Sequence, residues 1–74
     1  MAASNPIDQA FLRKLTEIVL ANLGNENFGV KDLVHKSGYS RYKLAGKLQL
    51  LKNKTANQFI REVRLQKAFE ILHI

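Results

Sequence analysis

Apolar residues recur along this chain every three to four positions, the period of an α-helix rather than the alternation of a strand. Phe11, Leu12, Leu15, Ile18, Val19 and Leu23 make one stripe at that spacing. Asn5 as N-cap, Pro6 at the first helical position and Asp8 near the positive end of the helix dipole place the start. The first helix is therefore expected from Pro6 to Asn22, stopped by Gly24 as a left-handed C-terminal residue, with Asn25-Glu26-Asn27 as a loop. A second helix runs from Val30 to Lys36 behind Phe28-Gly29, with Val30, Leu33 and Val34 inward. Ser37-Gly38-Tyr39 breaks it, and Gly38 supplies the left-handed conformation of a sharp turn. Ser40 caps a third helix, Arg41 to Leu51, whose stripe is Leu44, Leu48 and Leu51. After a Lys52-Asn53-Lys54 turn, Thr55 with Gln58 forms a capping box that opens a fourth helix, Ala56 to Leu72. The fold class is all-α, and two helices joined by a short glycine-containing turn have the sequence shape of a helix-turn-helix.

The fourth helix does not keep one stripe. Phe59, Ile60 and Val63 share a face, whereas Leu65, Ala68, Phe69 and Leu72 lie roughly opposite, at ~100° per residue. A helix covering a single core has one apolar face. The change near Arg64 implies that the first half covers the helices before it and the second half covers something else. Two occupants follow, a further unit of a longer parent protein or a second copy of the chain, since monomers rarely leave such a patch bare. A bland alternative has the last turns curl back onto the first helix.

Charge sharpens the picture. The chain of 74 residues carries a formal net charge of +6. Between Asp32 and Glu62 there is no acidic residue, yet that stretch holds Lys36, Arg41, Lys43, Lys47, Lys52, Lys54 and Arg61. Cations gathered in one segment create a field suited to phosphate, although a solvated basic surface has the same composition. Hydrophobic residues make up 46% of the chain, which is globular rather than disordered. Absence of cysteine removes disulfides and thiolate metal sites, and suits a cytoplasmic location. No apolar run approaches the roughly 18 residues of a membrane span, and the cations and the loose apolar patch lie on different helices, unlike an interfacial helix. Residues 1–5 read as a disordered tail or expression remnant. Catalysis, metal and cofactor are not expected: His35 and His73 have no nucleophile or second ligand at useful spacing, and the four glycines form no phosphate loop.

On the third helix, Leu44, Leu48 and Leu51 cluster on one side and Tyr42, Ala45, Gly46, Gln49 and Leu50 on the other, with Arg41, Lys43 and Lys47 at the flanks. In a helix-turn-helix this helix enters the major groove of double-stranded DNA. Tyr42 and Gln49 carry hydrogen-bonding groups for base edges, Ala45 is small enough to touch a thymine methyl, and Gly46 permits a close approach but reads nothing. Arg41, Lys43, Lys47, Lys52 and Lys54 are the candidates for phosphate.

Several of these residues also form a longer pattern. Leu33-Val34-x-x-x-Gly38-Tyr39-Ser40-x-x-x-Leu44, Lys47-Leu48 and Thr55-x-x-x-Phe59-Ile60-Arg61-x-x-Arg64-Leu65-x-x-Ala68-x-x-x-Leu72 resemble the AraC-type family of bacterial transcription regulators. The likeness runs from about Pro6 to Leu72 and resides in the combination of spacings. It implies a homeodomain-like helix-turn-helix unit at 6–55 and a connecting helix at 56–74, one half of a domain whose second unit is absent from this sequence. It further implies sequence-specific DNA binding in transcription regulation, with Tyr42, Ala45 and Gly46 at base-reading positions. The flavour is that of output domains of hybrid two-component regulators. The chain departs from the family pattern at Val34 and Ala56, where alanine and proline are usual, and at Gly46, where arginine is frequent. A protein-interaction module using the outer patch of the last helix is the competing reading.

Overall fold

The computed structural model describes residues 6–72. They form four α-helices, α1 (Pro6–Ala21), α2 (Val30–Ser37), α3 (Arg41–Lys52) and α4 (Ala56–Leu72), with no strand among the described residues. The expected all-helical class holds, and every expected boundary inside this range lies within one residue of the observed one. The tail at residues 1–5, the Asn5 cap and His73 lie outside the described residues.

Each helix places its stripe in one shared core. Phe11, Leu15 and Val19 of α1 meet Leu33 of α2, Leu44 and Leu48 of α3, and Ala56, Phe59 and Ile60 of α4, with Phe28 closing the loop before α2. Leu12, Ile18, Val30, Val34, Tyr39, Leu51 and Val63 pack around its edge. Burying a large apolar side chain contributes roughly 1.5–3 kcal/mol, so these positions carry most of the fold's stabilisation. The helices lie against one another as α1 with α2 and α4, and α3 with α2 and α4.

Local signals set most of the ends. Gly38 adopts φ 81° and its N–H donates to the Val34 carbonyl, closing α2. The Ser40 hydroxyl accepts from the Lys43 N–H at 3.0 Å and opens α3. Thr55 and Gln58 exchange bonds of 2.9 and 3.1 Å, the reciprocal capping box expected from their spacing. Asp32 reaches back to accept from the Gly29 N–H at 3.0 Å, which satisfies a donor at the start of α2.

The end of α1 is a correction. Gly24 is not in a left-handed conformation, since Gly38 is the positive-φ glycine among the described residues. Instead α1 stops at Ala21, and the Asn22 side chain donates to the Ile18 carbonyl at 2.7 Å. Consecutive turns then carry the chain to Phe28, with backbone bonds from Asn25 to Asn22 and from Phe28 to Asn25. A polar side chain that caps its own helix removes the need for glycine there.

Helix α4 divides at Arg64. Ahead of it Phe59 and Ile60 are buried and Val63 is half-buried; beyond it Leu65, Phe69 and Ile71 are 67%, 62% and 58% exposed. Ala68 is exposed as well, and the side chain of Leu72 is outside the description. Arg64 itself reaches across the fold, its Nη2 donating to the Asn25 carbonyl at 2.8 Å, which pins α4 to the α1–α2 loop.

Candidate nucleic-acid interface

The orientation of α3 is set by the turn before it. Residues 38–40 separate it from α2, and the buried Ser37 hydroxyl organises that turn by donating to the Val34 carbonyl and accepting from the Tyr39 N–H. Tyr39 packs its ring on Phe11, with centroids 5.0 Å apart. Leu44 and Leu48 are fully buried beneath the helix. The opposite face is consequently held outward. Tyr42 and Leu50 are 92% and 83% exposed, and Ala45, Gly46 and Gln49 between them are also exposed.

The base-contact candidates Tyr42, Ala45, Gly46 and Gln49 therefore share one open surface. A Cβ added at Gly46 meets nothing within 4 Å, so no packing inside this chain requires a glycine there. Gln49 is not a free rotor: its Nε2 donates to Asn53 Oδ1 at 2.7 Å. Asn53 holds a left-handed conformation, φ 55°, and its N–H caps α3 by donating to the Gln49 carbonyl. The two residues stand at i and i+4, the spacing at which such side chains meet on a helix.

The phosphate candidates fall into two sets. Arg41, Lys43 and Lys52 are exposed and in no ion pair among the described residues, although the Lys43 ammonium also lies 5.7 Å from the Tyr39 ring centroid. Lys47 is bound at 2.9 Å by Asp8 of α1 and lies over Phe11, while Lys54 pairs with Glu62 of α4. The acid-free stretch is thus real along the chain but incomplete in space, since folding delivers one carboxylate from each side to neutralise these two lysines. Lys14 of α1 adds a cation that spacing within α3 does not reveal, its ammonium 5.3 Å from the centroid of the Tyr39 ring that Lys43 also approaches.

His35 is exposed. No cluster of His, Asp or Glu able to hold a metal occurs among the described residues. A groove between α1 and α4 is lined by Leu12, Leu20, Phe59 and Val63 together with the polar Thr16, Lys52, Glu62 and Glu70. Among the described residues no helix is long and apolar enough to cross a membrane.

No family model and no solved structure matches the chain. It is similar to Histidine kinase P4 of Formosa agariphila, with 39% identity over 66 residues. The aligned stretch takes in 89% of this chain but only 5% of that protein.

Proposed function

We propose that this chain binds double-stranded DNA through α3, as a helix-turn-helix unit of an AraC-type transcription regulator in the bacterial cytoplasm. The observation that carries the reading is the outer face of α3. It is solvent-exposed, follows a hydrogen-bonded turn, and is bordered by Arg41, Lys43 and Lys52 free of carboxylate partners among the described residues. A helix presented in this way enters a major groove with its flanking cations at the phosphates. The likeness to a stretch of a histidine kinase fits a place within two-component signalling.

Fluorescence anisotropy of a labelled duplex, titrated at low and at physiological salt, tests this. Binding that weakens linearly in log–log form as salt rises is the expected result, because each neutralised phosphate releases counterions. Absence of binding at low salt refutes it. Lys43→Ala should weaken binding to all sequences alike and lower the salt slope by about 1.

The exposure of Leu65, Phe69 and Ile71 favours a second surface on α4 that engages either another unit of the parent protein or a second copy. Sedimentation velocity separates these. A chain that dimerises, and ceases to do so with Leu65→Glu, uses the patch for self-association.

A further inference from the structure

We infer that the outward face of α3 reads thymine 5-methyl groups, with Leu50 as the principal contact and Tyr42 as the second. The inference rests on the DNA reading above and names the base chemistry that face selects.

Tyr42, Gly46 and Leu50 stand at i, i+4 and i+8, so they form one line along the outer face, spanning ~12 Å at 1.5 Å per residue. That line has an apolar residue near each end and a gap in its middle. The ends are the two most exposed large hydrophobic side chains among the described residues. The gap is unexplained by internal packing, since a methyl at Gly46 would project into open space. A glycine inside a helix costs roughly 1 kcal/mol relative to alanine, and here its use is to let something outside the chain approach closely. Cations at the borders select a polyanion for that role.

What such a face can read in a major groove is restricted by its chemistry. Its arginine and lysines stand at the flanks, where they meet phosphates rather than guanine, and it carries no carboxylate for cytosine. It offers Leu50, Ala45 and the Tyr42 ring, which match the apolar thymine methyl. Gln49, adjacent to Leu50, has one amide hydrogen committed to Asn53, which leaves its second N–H and its carbonyl oxygen oriented together. That donor–acceptor pair is the complement of adenine N7 and N6. Asn53 acts here as a positioning residue.

The test compares two duplexes of the same A·T-rich sequence, one with thymine and one with every thymine replaced by deoxyuridine. Uracil keeps the pairing and O4 but lacks the methyl, so phosphate charge is unchanged. Anisotropy titrations at low salt should show the intact chain binding the thymine duplex about fourfold more tightly for each methyl in apolar contact, the equivalent of burying one methyl group. Leu50→Ala, a substitution at an exposed helical site that leaves the core untouched, should lower the thymine preference by about fourfold, the share of one methyl, and leave the part held by Tyr42. Equal binding of both duplexes by the intact chain overturns the inference while leaving DNA binding standing. A thymine preference undiminished by Leu50→Ala overturns the assignment to Leu50. Failure to bind either duplex removes the DNA reading itself.

Discussion

The two halves of α4 contain similar residues and meet opposite fates. Phe59, Ile60 and Val63 before Arg64 sit in or against the common core, while Leu65, Phe69 and Ile71 after it face outward. For Leu65 and Phe69 the difference is one of angular position on one continuous helix, whereas Ile71, eleven residues after Ile60, returns to nearly the same side and is exposed near the end of the helix. Phe59 and Phe69 are ten residues apart, and a helix advances ~100° per residue, so they project in clearly different directions. Apolar content alone therefore says little about what a helix stabilises; its phase against the neighbouring stripes decides that. The same holds for α3, where Leu48 is fully buried and Leu50, two positions on, is 83% exposed.

Stability measurements are the strongest way to break this comparison. Phe59→Ala should cost about 3–5 kcal/mol and leave so small a domain largely unfolded at room temperature, as read by far-ultraviolet circular dichroism. A cooperative melt close to that of the parent chain would mean the first half of α4 is not part of the core. Arg64→Ala removes the cross-fold bond to the Asn25 carbonyl and should lower stability by about 1–2 kcal/mol. Hydrogen exchange of the α1–α2 loop amides should quicken in that variant, and an unchanged loop would sever the proposed link. Gly46→Ala sharpens the contrast from the other side. With open space around the new methyl, it should raise stability by about 0.5–1 kcal/mol while weakening DNA binding through lost approach. A rise in both stability and DNA affinity would show that no close approach occurs at this position. Leu65→Ala should change stability by under about 0.5 kcal/mol in the monomer, because the side chain is mostly solvated already. A loss comparable to that at Phe59 would place the distal half in the core.

One electrostatic prediction refines the phosphate set. Asp8→Asn frees Lys47 from its partner and should steepen the salt dependence of DNA binding by up to about 1 in slope. Should the slope stay fixed, Lys47 points away from the duplex whatever its charge partner.

Much of the fold was legible because its signals are local. Gly38, Ser40 and the Thr55–Gln58 pair fix helix ends through bonds to residues two to four positions away, and spacing alone reveals such bonds. The stripe of α1 and the leucines of α3 likewise announce their buried faces by period. Gly24 misled because an equally local device, the Asn22 side chain, ends α1 first. The cationic candidates were only partly legible: Lys47 and Lys54 look free along the chain, and their carboxylates arrive from other helices. Leu50 was visible on the outer half of α3 but its near-complete exposure is a property of the packed domain.

The amino-acid order by itself determined where the helices start and stop, which face of each is apolar, and that α4 changes face at Arg64. Those features depend on dihedral preferences and hydrogen bonds within a turn or two of chain. Tertiary structure alone decided which cations are free of carboxylates, that Arg64 reaches the Asn25 carbonyl, and that Lys14 stands beside the Tyr39 ring. These rest on contacts between residues far apart in sequence, and such contacts exist only once the shared core has fixed the helices against one another.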